Sequence, residues 1–348
     1  MVGFLRLVGL FIVAAVGWLL WNLIPASGVL ATLEPKLIDH CRRVDVFPGT
    51  EDVTIDPESD IAFISADDRR ATAAGAPVQG GVYALKLDGT DRVDRVSPDS
   101  FGDFHPHGLS LWRGEDGRKR LFVINHTIND GDKVEVFDVG FAGALLHVDT
   151  IAFPEMSSPN DIVGVGPRSF YVTNDRGFKE GPMSTIEAYF ALPFSSLAYF
   201  DGAMGAIVAR GLTYANGVNV SADGAAIYAT EFLGRRVNVY ARDAATGALK
   251  KRRSIGVDTG ADNVEVAGDG ALWIGAHPKV FDFLKHAEDP KAIAPSHVVR
   301  VNPETGLVED MLVDTGGVIN GSSVGAVYDD TLIVGAVFDG HVMVCPVQ

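Results

Sequence analysis

Cysteine is almost absent from this chain, which has only Cys41 and Cys345. Basic charge is also short: 29 Lys and Arg stand against 45 Asp and Glu, a formal net charge of −16. Binding to phosphate backbones needs clustered cations, so a nucleic-acid partner is excluded. No Gly-x-Ser-x-Gly elbow occurs, and nothing else marks a serine or cysteine nucleophile. No glycine-rich loop follows a strand and opens a helix, so no nucleotide cofactor site is present.

Long apolar runs are equally rare. The single one, LVGLFIVAAVGWLLWNLI from Leu7 to Ile24, is broken only by Asn22. It is long enough to span a bilayer, and Trp18 and Trp21 fit an interfacial aromatic belt. Residues 1–30 therefore read as a membrane anchor or signal segment, with Ala26-Ser-Gly28 as the alternative cleavage site. Arg6 is the one charge before the run and favours a membrane-anchored or secreted protein whose remainder, 35–348, lies on the non-cytoplasmic side.

What the chain has is a repeat. Polar residues Glu51, His107, Asn160, Asn216, Asn263 and Asn320 each precede an apolar-rich stretch, roughly fifty residues apart. Each stretch is followed by a turn and a second strand, such as Ala226-Ile-Tyr-Ala after Ser221-Ala-Asp-Gly. Third strands follow, among them Val134-Glu-Val-Phe and Val237-Asn-Val-Tyr. Short strands in constant phase predict an all-β fold, a six-bladed β-propeller with an N-terminal apolar helix. A β-sandwich or a set of small β domains would not keep phase over so long a span. The stretch Phe178–Phe200 reads as a helical insertion over the channel mouth. The two cysteines bracket the repeat, so a disulfide would staple the ring where the chain ends meet; two separate thiols are the alternative.

Equivalent positions in successive blades converge on the channel axis, so the leading residues form a ring. Carboxylates accompany three of them, at Asp52, Asp161 and Asp262. Carboxylate and amide oxygens suit Ca²⁺, whereas the cysteine and clustered histidine that suit Zn²⁺ are missing here. Strict alternation along a strand keeps neighbours such as Glu51 and Asp52 off a single ion and predicts two ions at different depths. His107 leads its blade and His126 ends the next strand, so both face the ring and either can serve as a general base. His277 reads as channel wall, and His105 as part of a turn.

At these residues the chain resembles the paraoxonase/arylesterase family, relatives of gluconolactonase-type propellers. The resemblance runs from about residue 35 to the C-terminus. It is carried by Gly49-Thr-Glu-Asp52, Phe104-His-Pro-His-Gly-Leu-Ser110, Val123-Ile-Asn-His126, Pro159-Asn-Asp-Ile-Val-Gly-Val-Gly-Pro167, Tyr171-Val-Thr-Asn-Asp175, Tyr214-Ala-Asn-Gly217, Ala261-Asp-Asn263, Gly275-Ala-His-Pro278 and Gly335-Ala-Val-Phe338. It implies a Ca²⁺-dependent hydrolase of lactones and aryl esters with two axial ions. Glu51, Asn160, Asn216, Asp262 and Asn263 match the ligands of the catalytic ion. Asp52, Asp161 and the Leu109 carbonyl match those of the structural ion. His107 and His126 match a histidine dyad that activates water, with Asp262 as the rival base. Cys41 and Cys345 match the family's disulfide, and the N-terminal run its retained signal. Tyr214, His277, Val337 and Phe338 are expected to line the substrate pocket.

The chain departs from the family's serum members in the loop Ala66–Gly80, at Arg176 and at Asp339, positions that bear on substrate preference. The competing expectation is a non-hydrolytic propeller, a binding scaffold or a strictosidine-synthase-like relative. The sequence is silent on oligomeric state.

Overall fold

The computed structural model describes residues 2–347. Among these, 24 strands form six four-stranded antiparallel sheets arranged as the blades of a propeller. The innermost strands are Thr50–Asp56, Pro106–Arg113, Pro159–Gly164, Ala215–Val220, Gly260–Val266 and Ser322–Tyr328. In blade four, Ala226–Glu231, Arg236–Arg242 and Leu249–Gly256 follow outward in sequence order. The turn into the first of these carries Gly224 at φ 70°, a conformation that costs glycine little.

Each blade has a neighbour on both sides, so its middle strands are buried on both faces. That is why they read as unbroken apolar runs: Ile61–Ala66 is buried at every position. Six apolar clusters fill the six gaps between blades. Between blades two and three, Phe122, Ile124 and Val136 meet Phe170, Val172 and Phe200. The gap between blades six and one holds Val324, Ile333 and Val342 against Val53, Ile64 and Leu85.

The ring closes by mixing its ends. Strand Arg42–Asp45 pairs with His341–Pro346 and completes the last blade from outside, with Arg42 opposite Val344. Cys41 and Cys345 are bonded at this seam across 304 residues of sequence. The seam expectation holds, and the two are not separate thiols.

Among the described residues, α1 (Val2–Ser27) precedes the first strand, and α2 (Arg69–Ala73), α3 (Pro182–Tyr189) and α4 (Val280–Glu288) lie between strands. Of these, α1 is long and apolar enough to cross a membrane, and its apolar side chains from Phe4 to Trp21 are largely exposed. Its C-terminal half and the residues after it rest on the propeller, where Trp18 Nε1–H donates to the Phe190 carbonyl at 3.2 Å and Lys279 Nζ donates to the Ala31 carbonyl at 2.6 Å.

The expected helical insertion is shorter than its apolar spacing implied. Gly181 at φ 82° and Pro182 start α3, and Ala191 at φ 48° lies just past its end. Ser195–Phe200 is instead the third strand of blade three, buried throughout. A short apolar run fits either period, and here packing between blades decides for the strand.

Candidate active site

All six innermost strands carry an irregularity at the same level. The ladder to the second strand shifts register between Thr50 and Asp52, Pro106 and Leu109, Pro159 and Ile162, Ala215 and Val218, Ala261 and Val264, and Ser322 and Val324. A bulge inserts an unpaired residue and re-aims its side chain. The bulged residues include Glu51, His107, Asn160, Asn216, Asp262 and Asn263. So the ring expected from phase is a ring of bulges, and Asp262 and Asn263 escape the strict alternation that separates neighbours. Blade six differs: its bulge falls at Ser323, while Asn320 sits in the turn before the strand, its backbone amide bonded to Asp339 Oδ2 at 2.8 Å.

The ring is buried. Glu51, Asp52, Asn160, Asp161, Asn216, Asp262 and Asn263 are all no more than 7% exposed. Asn263 Nδ2 donates to Glu51 Oε1 at 2.8 Å, which leaves the amide oxygen free. Glu51 Oε2 and the Oδ1 atoms of Asn160, Asn216 and Asn263 are buried without any hydrogen-bond partner. Burying a polar oxygen unpaired costs about 1–3 kcal/mol, so four at one level need a common explanation. Hard oxygen donors with free lone pairs are what a cation such as Ca²⁺ takes, and this donor set fits one. Among the described residues no three His, Cys, Asp or Glu side chains cluster in metal-holding geometry; three of the five expected donors here are amides.

One residue along the strands from Glu51 and Asn160 lie Asp52 and Asp161, and each bridges two blades. Asp52 accepts from the amides of Val53 at 2.8 Å and Leu109 at 2.7 Å. Asp161 accepts from Ile162 at 2.7 Å and Val218 at 2.6 Å. The recorded contact of Leu109 with Asp52 is thus through its N–H. Burial pushes both carboxyls well above the usual range, and neighbouring charge pushes the same way, from Glu51 onto Asp52 and from Asp52 onto Asp161. Gly108 is required where these strands converge: a Cβ there would stand 2.6 Å from both Cα and Oδ1 of Asp161.

Glu51 goes the other way. Burial raises its pKa, but the charges of His107 and Arg69, with hydrogen bonds from His107 and Asn263, outweigh this and hold it at about 2. His107 Nε2 lies 3.5 Å from Glu51 Oε1. Its Nδ1 lies 2.8 Å from His126 Nε2, so the two expected histidines are directly bonded. His126 Nδ1 in turn lies 2.8 Å from Asp132 Oδ1. Asp262, pushed up by burial and partly restrained by His277, has Oδ2 2.6 Å from His277 Nε2. His105 stands apart in a loop, bonded through Nδ1 to Asp67 at 2.7 Å.

An aromatic wall joins three of the four expected pocket residues. Ring centroids run from Tyr214 to Phe232 at 5.4 Å, Phe232 to His277 at 5.5 Å, His277 to Phe283 at 4.0 Å and Phe283 to Phe338 at 5.8 Å. Val337 is half-buried beside it, and its carbonyl faces Arg69 Nη1 at 3.4 Å. Arg176 lies over the Tyr214 ring and donates to its hydroxyl at 3.1 Å. Burial, with the Asp175 charge, pushes Tyr214 up to about 12, so it stays a phenol.

Sequence reasoning missed Arg69, Asp132, Phe232 and Phe283. Only Asp132 left a usable signal, since it faces His126 directly across the hairpin. A cavity of about 900 Å³ lies on the opposite side of the molecule, lined by Thr54, Ser110, Asn219 and Glu265 and by none of the ring donors.

Known proteins resemble this chain over most of its length. A family model described as Arylesterase matches residues 47–346. Serum paraoxonase/arylesterase 1 of Homo sapiens is 31% identical over 320 residues, covering 89% of this chain and 89% of that protein. Serum paraoxonase/arylesterase 2 of Gallus gallus is 32% identical over 317 residues, covering 88% of each. A solved gluconolactonase structure from Xanthomonas campestris shares the fold, with a TM-score of 0.54 at 17% identity over 90% of this chain and 91% of that one. The chain belongs to the arylesterase family and is a carboxylic ester hydrolase.

Proposed function

We propose that this protein hydrolyses lactones and aryl esters at the ring of bulges, and that the ring holds Ca²⁺. The observation that carries the reading is the set of four buried, unpartnered oxygens on Glu51, Asn160, Asn216 and Asn263. With Asp262 they form an all-oxygen donor set. Asp52 and Asp161, with the Leu109 carbonyl, would hold a second ion where two buried carboxyls repel each other. Bound at the upper ring, Ca²⁺ supplies Lewis acidity toward an ester carbonyl and its developing negative charge.

The chain's own residues do the rest. His107 Nε2 takes a proton from the attacking water, and His126 Nε2 supports that imidazole from behind at His107 Nδ1. Tyr214, Val337 and Phe338 exclude water and favour a lipophilic acyl or leaving group. Asp262 is the weaker base, because one of its oxygens is committed to His277. Nothing in the site favours a non-hydrolytic scaffold. The test is a panel of γ- and δ-lactones and phenyl acetate offered to the full chain with Ca²⁺. Turnover of both classes is expected, fastest for lipophilic lactones; turnover of neither would sink the reading.

We further infer that α1 holds the enzyme at a membrane, with the propeller in a non-cytoplasmic, oxidising compartment. The exposed apolar surface of α1 and the Cys41–Cys345 bond support this. In native protein both thiols should resist alkylation until reduced. Cys41→Ser should destabilise the fold by up to about 5 kcal/mol on the chain-entropy account, read by thermal unfolding. Freely alkylated thiols in the native enzyme would overturn the placement.

A further inference from the structure

The hydrogen-bond chain behind His107 has a direction, and its source is a residue with no role so far. Asp132 opens the strand Asp132–Val139 and sits across the hairpin from His126. Its side chain is 9% exposed, with Oδ1 on His126 Nδ1 at 2.8 Å and Oδ2 on the ammonium of Lys179. Burial would raise Asp132, but the hydrogen bond from His126 and the hydrogen bond and charge of Lys179 oppose it, and the carboxyl is held below its usual range. Asp132 is therefore ionised and can only accept.

The rest follows from donor and acceptor chemistry. His126 must carry its proton on Nδ1. Burial pushes His126 below the usual histidine range, against the pull of Asp132, so the ring is neutral and its Nε2 is a bare lone pair. A bare Nε2 must receive a proton from its neighbour, so His107 carries its own on Nδ1. When His107 is neutral, its lone pair is then on Nε2, the nitrogen 3.5 Å from Glu51 Oε1, and the hydrogen bond to Glu51 belongs to the protonated ring. Reverse the first bond and every later one reverses, leaving an N–H pointing into the site.

We propose that Asp132 is a positioning residue that sets the tautomers of both histidines, and that Lys179 holds Asp132 in place from the segment leading into α3. This rests on the reading of His107 as base. In the reaction, a water O–H bond breaks as the water oxygen bonds to the carbonyl carbon, and the proton goes to His107 Nε2. The acyl C–O bond then breaks, and the same proton passes to the leaving oxygen. Asp132 keeps its charge throughout and stabilises the transient His107 imidazolium through the one intervening ring of His126.

Asp132→Asn is the test, because the isosteric amide can turn either its oxygen or its NH₂ toward His126. The corresponding change in a Ser-His-Asp triad lowers kcat about 10⁴-fold through the wrong tautomer, and a loss on the order of 10²-fold or more is expected here. KM and the melting temperature should stay close to wild type, and Asp132→Glu should recover part of kcat. Nitrogen-15 spectra of the imidazoles give the second readout. Wild-type His126 should be protonated at Nδ1, and Asp132→Asn should show protonation at Nε2. Should the variant fail to fold, the wild-type spectrum still decides: protonation of His126 at Nε2 overturns the proposal. So does unchanged kcat in Asp132→Asn while His107→Gln is inactive. An active His107→Gln beside the expected wild-type spectrum would instead remove the base reading and leave the tautomer assignment standing.

Discussion

Removing divalent cations should abolish lactone and ester hydrolysis and lower the melting temperature together. Without a cation, four buried oxygens lack partners and two buried carboxyls, on blades one and three, repel each other. A ligand that binds only the folded state stabilises it in proportion to its occupancy, so chelation removes that contribution along with the chemistry. The pH dependence has a definite sign. In the metal-free fold Asp52 and Asp161 titrate well above their unfolded values, so the folded state holds protons the unfolded chain has released. The stability these two give is full below the unfolded value, near about pH 4, and is lost as pH rises toward the raised folded values. Chelated protein should therefore melt higher on mild acidification. Calcium-loaded protein should do the reverse, because protons compete with the ion for the same oxygens. Glu51, held at about 2, keeps its contribution across this window and loses it only in stronger acid. Calorimetry with and without a chelator at several pH values reads all of this. Full activity in protein shown by metal analysis to be free of cations would end the calcium reading.

The blade count was legible because it depends on phase, and phase survives loops of unequal length. The ring was legible for the same reason: a polar residue before each apolar stretch lands near the axis whatever its exact geometry. The bulges were not. One extra residue in Gly260–Val266 leaves the apolar pattern intact yet changes where Asp262 and Asn263 point. Blade six shows the limit of reading phase from polar residues, since Ser323 holds the equivalent position and Asn320 had only resembled it. Residues that reach the site from outside the repeat, such as Arg69 on α2 and Phe283 on α4, carry no periodic signal at all. Their placement depends on how loops fold back over the channel. Asp132 lay between these cases, fixed by hairpin register but meaningful only once His126 was known to touch His107.

Replacing His107 by Gln should lower kcat on lactones by about 10²–10⁴-fold, the span a well-placed general base contributes. Glutamine is close in size and polar, so the loss should reflect proton transfer more than packing. The comparison with Asp262→Asn decides which residue is the base, because the two act on the ring differently. Asp262 shares its carboxylate between His277 and the oxygen ring. Its loss should weaken cation binding, so excess Ca²⁺ should restore much of the activity of Asp262→Asn. His107 contributes no oxygen to the ring, and its nearest ring contact is Glu51 at 3.5 Å. Excess Ca²⁺ should therefore do nothing for His107→Gln. If instead His107→Gln keeps its turnover and Asp262→Asn is inactive at saturating Ca²⁺, the base is Asp262. The histidine pair would then serve only to hold Glu51 ionised beside it, through the charge and hydrogen bond of a protonated His107.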